Sequence, residues 1–123
     1  MRIQTTDITR KIGFEFEQEA VEFLLSKGYE IIKTNFVYGR VGEIDIIAKD
    51  KDYLVFVEVR FRKDNSYGGA EYSITPSKIK KIRIAAEAFL YINKIQNQNC
   101  RFDFIGISKV DSKLIFNHLI NAF

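Results

Sequence analysis

Gly42-Glu43-Ile44-Asp45-Ile46-Ile47-Ala48-Lys49-Asp50-Lys51-Asp52-Tyr53-Leu54-Val55-Phe56-Val57-Glu58-Val59-Arg60-Phe61-Arg62 reads as two strands joined by a tight polar turn. Both halves are rich in Ile, Val and Phe, which suit a pleated, half-buried backbone, and Asp50, Lys51 and Asp52 interrupt them. Strands are expected over 43–49 and 53–62. Successive strand side chains point to opposite faces, so Val55, Val57, Val59 and Phe61 form one apolar face. Leu54, Phe56, Glu58, Arg60 and Arg62 form the other. In the first strand the same rule puts Glu43, Asp45 and Ile47 on one side and Ile44, Ile46 and Ala48 on the other. If the turn closes through an even number of residues, such as Asp50 and Lys51, Asp45 and Glu58 share a face, opposite or one diagonal step apart.

Two carboxylates held that close repel each other unless a cation lies between them. Hard oxygen donors suit Mg²⁺ or Mn²⁺ rather than zinc, and with a single His and a single Cys the chain has little to offer a zinc site. An ion held there can polarise a phosphodiester and lower the pKa of a water. Arg60 adds a fixed charge and a fork of donors for a phosphate, but it is never a general base. The same spacing also fits a solvated strand face or a structural ion-pair network, and spacing alone does not separate these readings.

Outward from the hairpin, Ile12, Phe16, Ala20, Phe23 and Leu24 recur at helical spacing, and Gly28 follows as a stop, which predicts an amphipathic helix over 12–27. Its apolar arc takes in Phe14, Val21 and Leu25, with Glu15, Gln18, Glu19 and Glu22 opposite. Glu17 falls inside the apolar arc and so needs a partner: a salt bridge, a shared metal, or Arg60. Residues 29–38 suggest a strand with an irregular far end before Gly39 and Gly42, and 64–75 a loop without period. Thr75-Pro76 is an N-cap with proline at the first helical position, opening a helix to about Asn93 on the stripe Ile79, Ile82, Ala86, Phe89 and Leu90. Strands over 101–108 and 114–120 flank a polar turn. The order α-β-β-β-α-β-β predicts an α/β fold, a mixed central sheet flanked by helices.

The 123 residues fit one domain, 1–123, with no internal repeat or linker. No apolar run is long enough for a membrane span, and a lone Cys100, read as packing, suits a reducing compartment, so a cytoplasmic location is expected. The net charge of +3 is segregated: Lys78, Lys80, Lys81 and Arg83 form one basic stretch, Arg60, Arg62 and Lys63 another, and Glu15, Glu17, Glu19 and Glu22 an acidic one. Lysines at a helix N-terminus oppose the macrodipole; either a bound phosphate or solvent screening would resolve the conflict.

The GEID of residues 42–45 and the FVEVR of residues 56–60 resemble the signature of the bacterial YraN family. The likeness continues through Tyr67-Gly68-Gly69-Ala70, Ser77-Lys78, Arg101-Phe102-Asp103 and Asn121-Ala122-Phe123. That family is similar to Holliday-junction resolvases of the PD-(D/E)xK class. The resemblance implies a restriction-endonuclease-like core with a helix acid, a strand Asp and a strand Glu two residues before Lys. Glu17, Asp45 and Glu58 match those positions, and Arg60 stands where the wider class has Lys, an arginine familiar within the YraN family.

The expectation is therefore an Mg²⁺- or Mn²⁺-dependent DNA endonuclease. Glu17, Asp45, Glu58 and Arg60 form its site, Asp45 and Glu58 hold the metal, and Arg62, Lys78 and Lys81 lie on nucleic acid. Two alternatives stand beside it: a nucleic-acid-binding module of the same fold without cleavage, and an interaction protein whose acids are structural. Resolvase analogy adds a homodimer. Tyr67, Gly68 and Gly69 are read as a turn, Asp103 as a partner for Arg101 or a lysine, and His118 as surface or packing with no chemistry.

Overall fold

The computed structural model describes the backbone of residues 5–62 and 74–123 and the side chains of residues 15–61 and 74–123. The elements run α1 (Thr5–Ser26), β1 (Glu30–Tyr38), β2 (Gly42–Asp50), β3 (Tyr53–Arg62), α2 (Pro76–Ile92), β4 (Asn99–Val110) and β5 (Lys113–Leu119). They form one sheet in the spatial order β1-β2-β3-β4-β5. Neighbours are antiparallel except β3 and β4, which run parallel because α2 carries the chain back across the sheet. The expected order and the mixed sheet flanked by helices are both present.

α1 starts at Thr5, earlier than its apolar period indicated. Residues 5–11 are polar apart from Ile8, so the extension leaves no amphipathic trace. At the other end Gly28 adopts φ 90°, and the amides of Gly28 and Tyr29 return to the carbonyls of Leu25 and Leu24 at 3.0 Å. Leu25, assigned to the apolar arc, is exposed. α2 begins as read: the Thr75 side chain accepts from the Lys78 amide at 3.1 Å, with Pro76 next.

Each helix covers one face of the sheet. Ala20 and Leu24 of α1 pack on Ile46, Ala48, Val55, Val57, Ile105 and Ile107. Ile82, Ala85, Ala86 and Phe89 of α2 pack on Phe36, Ile44, Ile47, Leu54 and Phe56. Cys100 joins this second cluster as packing. Among the described residues no helix is long and apolar enough to cross a membrane.

The central hairpin turns through Lys51 and Asp52, with Asp50 paired to Tyr53 and Lys51 at φ 54°. The loop has two residues, which meets the even-number condition, and it sits one residue further along than the Asp50-Lys51 example. Strict alternation in β2 fails: Ile44 packs toward α2 with Ile47, whereas Ile46 packs toward α1. The strand thus changes face across Asp45. The slip coincides with Asn35 of β1, which lies between the pairs Thr34↔Ile46 and Phe36↔Ile44 and takes φ 54°. A left-handed residue inside a strand turns the pleat, and a periodicity argument has no way to see it.

Candidate functional site

The last recorded pair between β2 and β3 is Ile46↔Val57. One step further out stand Asp45 and Glu58, where the ladder stops. The amide of Val59, beyond the last pair, donates to Asp45 Oδ2 at 2.8 Å, so the carboxylate holds the two strands together where backbone pairing ends. Asp45 and Glu58 share a side-chain hydrogen bond, as the hairpin register required. A hydrogen bond between two carboxyls needs a proton on one of them.

Burial is the main reason that proton is retained. It pushes Glu58, together with the charge of Asp45, up to about 7 from the ordinary glutamate value of 4.5, against the opposing charges of Lys78 and Arg60. Asp45 is also raised by burial, partly offset by the Val59 amide, its bond with Glu58, and the charges of Lys78 and Arg60.

Glu17 arrives from α1. Phe16 stacks on Phe61 of β3, with ring centroids 3.6 Å apart, which fixes the helix over that end of the strand. The apolar arc buries Glu17 as expected, at 8 % exposure. Burial first, then the charge of Asp45, raise it to about 7 against the hydrogen bond it accepts from the Asn35 side chain. The Asn35 side chain is a hydrogen-bonding partner of Glu17 that sequence reading missed. The available signal was an asparagine in a run of strand formers, a residue type depleted in strands.

α2 supplies the positive charge. Lys78 Nζ lies 3.7 Å from Glu58 Oε2, so it is held inward rather than screened on the surface, while Lys80 and Lys81 are exposed. Gly42 sets how close α2 can approach. A Cβ there would stand 2.7 Å from the carbonyl oxygen of Lys81, so only glycine lets the start of β2 lie against the helix. The Arg62 side chain and Tyr67, Gly68 and Gly69 lie outside the described residues.

Among the described residues no three acid, His or Cys side chains converge as a ready-made ion site. The donor set is the Asp45–Glu58 pair, with Glu17 alongside. Two carboxylates completed by waters suit a small hard cation, which seldom takes an all-protein cage. The fit rests on the donors themselves: two buried carboxyls brought side by side and both raised by burial.

Asp103 does not join this site. It accepts from Arg101 Nε at 2.9 Å, Arg101 Nη2 at 3.0 Å and the Asn121 amide at 2.9 Å, and it pairs with His118 Nε2 at 2.8 Å. Arg101 also bonds Asp50 and the Tyr29 hydroxyl. The Arg101 partnership was expected, and His118 packs as read, with an acid partner that the sequence did not show. Its ring is buried against Phe23 and Tyr29 and is tied to the acid.

Residues 16–107 match the family described as "Uncharacterised protein family UPF0102". A UPF0102 protein of Carboxydothermus hydrogenoformans is 38% identical over 113 residues, covering 92% of this chain and 95% of its own. One from Acetivibrio thermocellus is 42% identical over 98 residues, covering 80% and 75%. One from Marinomonas is 41% identical over 119 residues, covering 92% and 93%. The match takes in both strands of the acid hairpin, the helix that carries Lys78 and the Asp103 strand, and the chain belongs to the UPF0102 family, the YraN group.

Proposed function

We propose that this chain is a metal-dependent endonuclease acting on DNA phosphodiesters, with a restriction-endonuclease-like core and its site at Asp45 and Glu58. The observation that carries the reading is the buried carboxyl pair at the point where β2 leaves β3, joined by one hydrogen bond and raised by burial. Two adjacent desolvated acids cost a fold stability, whereas a cation-binding site uses them.

Mg²⁺ or Mn²⁺, when bound, would supply Lewis-acid polarisation of a phosphate and a lowered pKa for water. Asp45 and Glu58 would hold it. Glu17, at about 7, can accept a proton from an attacking water near neutral pH. Arg60 offers fixed donors to the charge that develops on the scissile phosphate. Arg62, Lys78 and Lys81 would carry the flanking backbone, and a homodimer would present one such site to each strand of a branched duplex.

The second reading, a binding module without cleavage, draws support from Arg60. Its planar guanidinium cannot position a water as an ammonium does. Labelled four-way, flapped and linear DNA incubated with Mg²⁺, Mn²⁺ or EDTA separates the two. Cleavage that needs metal and is lost in folded Asp45→Ala and Glu58→Ala variants is the expected result. Salt-sensitive binding with no cutting in any buffer would favour the module, and neither binding nor cutting would leave the acids structural.

A further inference from the structure

Lys78 occupies an unusual position for a lysine. It lies in the first turn of α2, at the positive end of the helix dipole, with no acidic residue in that turn to balance it. The turn itself cannot relax, because Thr75 caps it through the Lys78 amide and Pro76 fixes the backbone beside it. The side chain escapes the dipole by reaching back over the sheet to Glu58, whose side chain is 9 % exposed, while that of Lys78 is 38 % exposed. A carboxylate sunk in the protein is thus covered by a lysine whose side chain is only partly buried.

That ammonium and a divalent ion would compete for the same oxygens. A divalent ion held by Glu58 would commit the carboxylate, and two cations sharing one acid repel each other strongly in a partly buried setting. Lys78 can move, because its four-carbon stem is flexible and its side chain is 38 % exposed. The Glu58 side chain is buried. Resting on the metal-site reading given above, we propose that Lys78 is a built-in counter-ion, which takes the cation's place over Glu58 in the metal-free protein and swings out when a divalent ion enters.

Calorimetric titration of the metal-free chain with Mn²⁺ at pH 8 tests this, using wild type, Lys78→Met, Lys78→Arg and the exposed helix control Lys80→Met. Methionine keeps the apolar stem and removes the charge. It should bind Mn²⁺ about fivefold tighter than wild type, the size of one partly screened charge contact. Arginine should stay near wild type, and Lys80→Met should not move. Thermal unfolding in EDTA supplies a second measurement: Lys78→Met should melt earlier than wild type without metal and show the larger rise on adding Mn²⁺. Equal or weaker Mn²⁺ binding by Lys78→Met would overturn the proposal and leave the metal site standing. No Mn²⁺ binding by any of the four proteins would overturn both. An effect of the same size in Lys80→Met would reduce Lys78 to general electrostatics and overturn the proposal alone.

Discussion

Glu58 and Asp103 stand on neighbouring parallel strands, one residue out of step, since Glu58 pairs with Phe104. Alternation puts them on opposite faces of the same sheet. Both are buried, yet their surroundings differ in kind. Burial alone would raise Asp103, but hydrogen bonds from His118, Arg101 and the Asn121 amide, with the Arg101 charge, hold it below the ordinary aspartate range. Around Glu58 the nearest hydrogen-bonding group is another acid, and its pKa rises to about 7. A satisfied buried acid stabilises the fold by fixing the groups around it. A pair of acids raised by burial costs stability, and on the proposed reading it is kept for the cation that would bind there.

The largest expected effect breaks the satisfied side. Asp103→Asn removes the charge that neutralises Arg101 in a buried setting and should cost about 3 kcal/mol at pH 7, read by urea unfolding. Because the Asp103 pKa is lowered, its contribution is complete above the ordinary value of 3.8 and fades only as pH falls through the lowered one. The variant should therefore be weak across the whole neutral range.

Glu58→Gln sharpens the contrast with the opposite sign. A glutamate raised from 4.5 to about 7 leaves the folded state at a disadvantage that is absent below pH 4.5 and complete above pH 7. Without metal, the glutamine variant should match wild type at low pH and exceed it by about 2 kcal/mol at pH 8. Gly42→Ala acts on geometry instead: the added methyl meets the Lys81 carbonyl, forces α2 outward and should cost about 1–2 kcal/mol. The smallest effect belongs to Tyr29→Phe, which removes the hydroxyl bonded to Arg101 at 2.8 Å and should cost about 1 kcal/mol.

The two regions were unequally legible. The nearness of Asp45 and Glu58 followed from the pairing register once the turn held an even number of residues, and β3 is regular throughout. Glu17 was legible as a polar residue inside an apolar arc. The change of face at Asp45 was not, because it depends on the left-handed Asn35 on a neighbouring strand. Lys78 over Glu58 and Gly42 against Lys81 were equally hidden, since each joins α2 to a strand far away in sequence. The Asp103 network draws on the α1–β1 link, the end of β2, β4, β5 and Asn121 beyond β5, and no local pattern predicts such a convergence.

The claim that one acid pair is built for a cation and the other for the fold reduces to a single crossing. Thermal unfolding of wild type and Glu58→Gln at pH 8, each in EDTA and in Mn²⁺, should invert their order. The variant should be the more stable without metal, and wild type should gain and overtake it with metal. A variant less stable than wild type in EDTA, or a wild type that gains nothing from Mn²⁺, would contradict the account and make Glu58 a structural acid like Asp103.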